Sequence, residues 1–176
     1  MTTDNVTLRP PFIPGFNGML ALVPAFFLMS SSAFAVVLVD NGSTLDIDST
    51  ATPDSYSVTN NSTLNMTDAT TRSVTVQTGS TLNISGATVT GTPGLAGITI
   101  NTSRATIDRA TVSSDTIALL VNRTPLGTSG STVTATNGVF SGGLAGATVT
   151  GFSTLALINS DVTGTGADSF GLIVAG

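Results

Sequence analysis

The segment at residues 79–84, GSTLNI, decides the fold because close copies of it recur along the chain. The clearest copies are GSTLDI at residues 42–47 and NSTLNM at residues 61–66. The longest interval between copies contains a turn-like insertion at residues 124–130. The first apolar residues of the six copies are Leu45, Leu64, Leu82, Ala105, Val133 and Leu155, in steps of 19, 18, 23, 28 and 22 residues. A repeat of this length is typical of a solenoid, in which each copy forms one coil.

Two further stretches in each repeat alternate apolar and polar residues. One stretch follows the GSTLNI-like copy, as at residues 87–89, and the other precedes the next copy, as at residues 74–76. Alternation with a period of two residues predicts strands that have one buried face. Each unit of about twenty residues therefore contains three short strands.

Three strands per unit predict an all-β, parallel β-helix of about six coils within residues 36–176, with the first coil beginning near Gly42. Equivalent residues would stack on successive coils at the ~4.8 Å spacing of neighbouring strands. The apolar first residues of the copies would then form an inward row. The outward row beside it would consist of Asp46, Asn65, Asn83, Thr106 and Thr134. An antiparallel sandwich is the alternative, but it gives no reason for one strand to recur almost unchanged.

The composition excludes several classes of function. The 176 residues include ten acidic residues, all Asp, and five basic residues, all Arg, which gives a net charge of −5. The chain contains no Lys, Glu, His, Cys or Trp. Without Cys and His there is no disulfide framework, zinc cluster or Ser-His-Asp triad. A pI near 4.1 argues against a nucleic-acid partner, which requires a basic surface.

The first 35 residues have the pattern of an export segment. Residues 19–29 form an apolar run of eleven, and the small-x-small sequence Ala33-Phe34-Ala35 follows after three serines. This order predicts a secretory signal peptide over residues 1–35, cleaved after Ala35 to leave Val36 as the first residue. The alternative is an uncleaved anchor, in which residues 19–39 would span a membrane. A cleaved signal peptide indicates a secreted or cell-surface protein that passes through the periplasm.

The combination of this leader with GSTLNI-like coils and the segment AGITI at residues 96–100 resembles the N-terminal passenger of a pertactin-like bacterial autotransporter. The resemblance covers residues 40–176 and implies a right-handed β-helix on the cell surface, with an adhesive or virulence-type role and no catalysis. It also implies a host-surface or carbohydrate ligand. The family exports its passenger through a C-terminal translocator barrel at the outer membrane, and the strands of such a barrel are absent from this sequence. The Arg-Gly-Asp triplet that some members carry is also absent.

The end of the sequence carries a further expectation. Residues 173–176 lie where a seventh turn would begin, so the chain is expected to be a fragment of a longer passenger. An open coil edge would also permit copies to associate end to end, because unpaired strand edges invite pairing with another chain. A stand-alone, self-associating secreted solenoid is therefore an alternative to the passenger.

A carbohydrate-active β-helix enzyme, a lyase or a hydrolase, is the other alternative. The nearest group of charged residues that could serve it is Arg104, Asp108, Arg109 and Asp115. The expected arrangement is an exposed ion pair at a turn, with no catalytic role. The outward pair Asp46 and Asp48 could contribute oxygen ligands to Ca²⁺, but two carboxylates make an incomplete set. The sequence therefore predicts no catalytic, cofactor-binding or metal-binding residues and no cofactor.

Overall fold

A computed structural model describes residues 35–123 and 129–176. Contacts divide the chain into residues 1–32 and 33–176, and every described residue belongs to the second unit. The predicted signal peptide lies outside the described residues except for Ala35, as do residues 124–128 of the predicted insertion. The regular structure in the described residues consists of strands alone.

The strands form three parallel sheets. Sheet A has seven strands in the order β1 (Val36–Val39), β3 (Ser55–Val58), β6 (Val74–Gln77), β9 (Ile98–Asn101), β12 (Ile117–Asn122), β15 (Ala145–Thr150) and β18 (Phe170–Ala175). Sheet B has six strands in the order β2 (Thr44–Ile47), β4 (Thr63–Thr67), β7 (Thr81–Ser85), β10 (Arg104–Asp108), β13 (Thr132–Thr136) and β16 (Thr154–Ile158). Sheet C has five strands in the order β5 (Thr70–Thr71), β8 (Thr88–Thr90), β11 (Thr111–Ser114), β14 (Val139–Gly142) and β17 (Asp161–Gly164).

This topology is a β-solenoid of about six turns, as the repeat predicted. Each inner strand of a sheet pairs with the equivalent strands of the coils before and after it, so chain neighbours lie in different sheets. Sheet B has the predicted register, since Leu64 pairs with both Leu45 and Leu82. The same row continues through Ala105, Val133 and Leu155. The antiparallel sandwich is therefore excluded for the described residues.

The core runs along the axis of the solenoid. Inward rows from the three sheets meet there, and most of their side chains in the inner coils are fully buried. Sheet B contributes Leu64, Leu82 and Ile107, and sheet C contributes Val112 and Phe140. Burial of such rows from water is the main source of stability in a stacked repeat, because each coil covers the apolar surface of its neighbour.

The solenoid begins earlier than expected. Its first strand, β1, starts at Val36 instead of near Gly42, and Val37 and Val39 pair with Tyr56 and Val58 of β3. The pattern did not reveal β1 because its sequence, VVLV, shows no apolar–polar alternation: the outward residues Val36 and Leu38 are apolar. Strand β5 was also missed, because a two-residue strand is too short to show alternation. Its inward residue Thr71 is polar, yet it is buried and pairs with Val89.

The corner between sheets B and C is the same in successive coils. The residue directly after each sheet B strand from β4 onward has a positive φ: Asp68 (51°), Gly86 (77°), Arg109 (51°), Asn137 (53°) and Asn159 (48°). A left-handed residue is costly for most side chains, and Asn, Asp and Gly adopt this conformation most readily. Backbone N–H groups at this position donate to the next coil, as Arg109 does to the Thr136 carbonyl at 2.9 Å. The left-handed residues after the sheet B strands therefore stack on one another at this corner.

Candidate functional site

The charged pair Asp108 and Arg109 lies at the corner between sheets B and C. The Arg109 Nε donates to Asp108 Oδ2 at 3.0 Å, and the Arg109 Nη2 donates to Ser85 Oγ of the preceding coil at 2.9 Å. The Arg109 and Asp108 side chains are 64% and 40% exposed. An exposed ion pair of this kind contributes about 0–1 kcal/mol to stability. These contacts stabilise a turn whose backbone is already left-handed at Arg109.

The other two residues of the predicted charged group lie apart from this pair. Arg104 begins β10 and Asp108 ends it, which separates their Cα atoms by about 13 Å at the rise of a strand. Asp115 follows β11, and both of its carboxylate oxygens accept hydrogen bonds from the Gly94 N–H, at 2.9 and 3.1 Å. The four residues therefore do not converge on one site.

The predicted pair Asp46 and Asp48 engages separate partners. Asp46 Oδ1 accepts from the Asn65 amide at 2.6 Å, whereas Asp48 Oδ1 accepts from the Thr50 hydroxyl at 2.6 Å and from the Thr50 N–H at 2.9 Å. Across residues 35–123 and 129–176, no three carboxylates come together in a way that could hold a metal ion. The Thr50 hydrogen bonds lower the pKa of the Asp48 carboxyl group from its ordinary value, because they favour the charged form.

Substitution Thr50→Val should raise the pKa of Asp48 towards the ordinary value, because it removes the hydroxyl bond, the larger of the two causes. Because the pKa of Asp48 is lower in the folded chain than in the unfolded chain, its hydrogen bonds stabilise the turn at pH values above the unfolded pKa. This stabilisation is lost as the pH falls through the folded pKa. Carboxyl carbon NMR during an acid titration measures the shift. Thr52→Val serves as a control because the Thr52 hydroxyl bonds to Asp54 instead. An unchanged Asp48 titration in Thr50→Val would contradict this assignment.

The outward face of sheet B carries a ladder of side-chain amides. The Asn83 Nδ2 donates to Asn65 Oδ1 at 2.8 Å, and the Asn65 Nδ2 in turn donates to Asp46. This confirms the predicted outward row over the first three coils of the sheet. Beside it runs a row of Thr44, Thr63, Thr81, Arg104, Thr132 and Thr154, joined by the same strand register. Sheet B therefore presents a regular polar surface in which Arg104 is the one cation of its row.

Arg104 stands on the wall of a groove at the corner between sheets A and B, which we call the corner groove. Its volume is about 390 Å³, and it crosses three coils. The side chains that line it are those of Thr81, Thr102, Ser103, Arg104, Ser129 and Thr132. The hydroxyl groups of Thr81, Ser129 and Thr132 offer donors and acceptors beside the permanent positive charge of Arg104. Within the described part of the chain, Arg104 has no ion-pair partner.

The backbone around the corner groove is fixed by bonds between coils. The Arg104 N–H donates to the Ser80 carbonyl at 3.0 Å, and the Thr132 N–H donates to the Ser103 carbonyl at 3.0 Å. Ser103 is buried, and its hydroxyl donates to the Asn101 carbonyl at 2.9 Å. The strand side of the groove is therefore fixed by the stack, and the backbone of Arg104 is held at the start of a strand that pairs on both sides.

A second groove of about 310 Å³ lies on the outer side of sheet A near its first strands. Its walls include two exposed apolar side chains, Val36 (67% exposed) and Leu95 (56% exposed). Tyr56 also borders the groove; burial raises the pKa of its phenol, and the nearby Asp54 carboxylate raises it further. Sequence patterns did not reveal this groove, because Leu95 belongs to an irregular loop and its contact with the sheet depends on tertiary structure.

Comparison with known proteins adds no relative: no protein-family model, curated protein or solved structure matches the chain. None of the described residues belongs to a helix that is long and apolar enough to cross a membrane. The corner groove and the outward polar rows of sheet B are the features from which a function can be argued.

Proposed function

We propose that the chain is an exported, cell-surface or secreted β-helical passenger that acts by presenting its outer surface in a structural or adhesive role, without catalysis. One observation carries the proposal. Strand β1 begins at Val36, the residue that directly follows the predicted cleavage site after Ala35. Cleavage there would remove the apolar leader and leave every strand of the solenoid intact.

The outer surface supports the adhesive part of the proposal. Its strands present rows of Thr and Asn side chains at the spacing of stacked coils, and such rows can form many parallel hydrogen bonds to an extended ligand. Three of the four charged residues suggested for catalysis instead form local contacts, in the Asp108–Arg109 pair and in the bonds from Gly94 to Asp115. The resemblance to pertactin-like passengers supports the same role.

Expression of the full chain in a Gram-negative host should yield a periplasmic product that begins at Val36. The physical reason is that the small residues Ala33 and Ala35 fit the cleavage site that follows an apolar segment. N-terminal sequencing and intact mass identify the first residue. A charge at the site, Ala35→Asp, should block cleavage, whereas the same charge in Thr44→Asp, outside the small-x-small sequence, should not.

Two outcomes would overturn the proposal. One is a protein that keeps its leader and stays in the cytoplasm. The other is cleavage inside β1, between Val36 and Val39, because it would remove a strand that pairs with β3.

A further inference from the structure

We infer that the corner groove is a binding site for a carboxylated sugar residue, of the hexuronic acid type, with Arg104 as the group that recognises the carboxylate. This inference rests on the proposed adhesive function and names the class of ligand. It starts from the position of Arg104. In the row Thr44, Thr63, Thr81, Arg104, Thr132 and Thr154, a single cation replaces a hydroxyl side chain and faces the corner groove.

No carboxylate in the described part of the chain forms an ion pair with Arg104, so its charge can meet a ligand. The neighbours across the strands are Thr81 on the preceding coil and Thr132 on the following coil, and neither is ionisable. The carboxylate of the same strand, Asp108, lies at the other end of β10 and pairs with Arg109. A guanidinium group among neutral hydroxyls attracts a carboxylate, with which it can form two parallel hydrogen bonds.

The rest of the groove matches the remainder of a sugar ring. Thr81 and Thr132 flank the cation from the two adjacent coils, while Ser129 lines the groove at the corner. Hydroxyl groups both donate and accept, as the ring hydroxyls of a sugar do. A volume of about 390 Å³ is at the lower end of the range for small-molecule sites, which favours a short saccharide over a large ligand.

The stacking of the coils predicts that the ligand lies across the strands of sheet B. Thr81, Arg104 and Thr132 lie in register on three neighbouring strands, so they are spaced at about 4.8 Å across the groove. A ligand whose carboxylate meets Arg104 would then reach a hydroxyl group on either side. Recognition would combine one charge-assisted contact with several neutral hydrogen bonds, and it would weaken as salt screens the charge.

The test is titration of the purified chain with methyl glucuronide, followed by backbone NMR shifts. Methyl glucoside serves as the matched ligand that lacks the carboxylate. Shifts are expected at Thr81, Arg104 and Thr132. Methyl glucoside should bind at least about tenfold more weakly than methyl glucuronide, since a charge-assisted hydrogen bond contributes at least that factor. Arg104→Gln should weaken methyl glucuronide binding by about tenfold or more for the same reason.

The matched control variant is Arg109→Gln, which removes the other arginine side chain of the same coil. Arg109 lies beyond the far end of β10, outside the corner groove, so binding should be unchanged. Equal weakening by the two variants would show that only net charge matters and would overturn the inference. No shifts with either sugar, or equal binding of the two sugars, would also overturn it. All three results are separable from the proposed function, which fails instead if the exported chain is not cleaved before Val36.

Discussion

Substitution Phe140→Ala should destabilise the solenoid by about 3–5 kcal/mol, the range measured when a large buried aromatic side chain is removed. Phe140 is fully buried and is among the largest buried side chains of the described residues. It stacks between Val112 of the preceding coil and Val162 of the following coil. Its ring also fills the space beside Gly138, where an added Cβ would lie 2.7 Å from Phe140 Cε2. The cavity would therefore open between three coils.

The measurement is urea unfolding monitored by circular dichroism, combined with hydrogen exchange. Because a solenoid is stabilised mainly by contacts between neighbouring coils, the strands that follow Phe140 should lose protection before β4 and β7 do. Phe152→Ala is the control. Phe152 is 79% exposed, and its ring lies 5.1 Å from the Arg123 guanidinium carbon, a contact worth about 0.5–1 kcal/mol at an exposed site. Equal losses for the two variants would contradict the buried stacking of Phe140.

The fold could be predicted from the sequence because its information is local and repeated. In sheet B, the register Leu45–Leu64–Leu82 follows directly from aligning the GSTLNI-like copies. Strands with a buried face must alternate, and equivalent residues must stack, so a single alignment determines both the inward and the outward rows. The amide ladder from Asp46 through Asn83 is a consequence of the same register.

The sequences of two strands, β1 and β5, do not show the pattern of a strand with one buried face. Strand β1 reads VVLV and lacks the apolar–polar alternation of strands such as β3, because its outward residues Val36 and Leu38 are apolar, and its pairing with β3 becomes visible only when the coils are assembled. Strand β5 is two residues long and contains Thr71 at a buried position, where an apolar residue would have given a signal. Short or polar segments acquire strand structure from their neighbours, because the adjacent coil supplies the hydrogen bonds.

The candidate site was only partly predictable. Arg104 was identified as a charged residue of interest, but it was grouped with Asp108, from which β10 separates it by about 13 Å. The groove beside Arg104 combines residues from three coils, such as Gly79, Thr102 and Ser129, that are far apart in the sequence. Repeat alignment places residues on strands, whereas a groove at a corner depends on how the connecting turns are shaped.

Substitution Gly143→Ala should destabilise the solenoid, although it adds only one methyl group. Gly143 follows β14, and a Cβ at this position would collide with the carbonyl oxygen of Asp115 and lie 2.7 Å from its carbonyl carbon. These are backbone atoms of the preceding coil, so they cannot move away as a flexible side chain would. The same close approach carries the hydrogen bond from the Gly143 N–H to the Ser114 carbonyl at 3.0 Å.

The expected cost is about 1–3 kcal/mol or more, the usual range for overpacking a closely packed site. Because the collision pushes on Asp115, the hydrogen bonds from Gly94 to its carboxylate should weaken as well, and exchange of the Gly94 amide should accelerate. Gly42→Ala separates this effect from backbone conformation. Gly42 has a φ of 70°, and a Cβ added there would have no heavy atom within 4 Å, so alanine should cost about 1–2 kcal/mol through φ alone and leave Gly94 unchanged. Normal stability and unchanged Gly94 exchange in Gly143→Ala would show that the coils are not this close, because steric contact between Gly143 and Asp115 is the only source of the predicted loss.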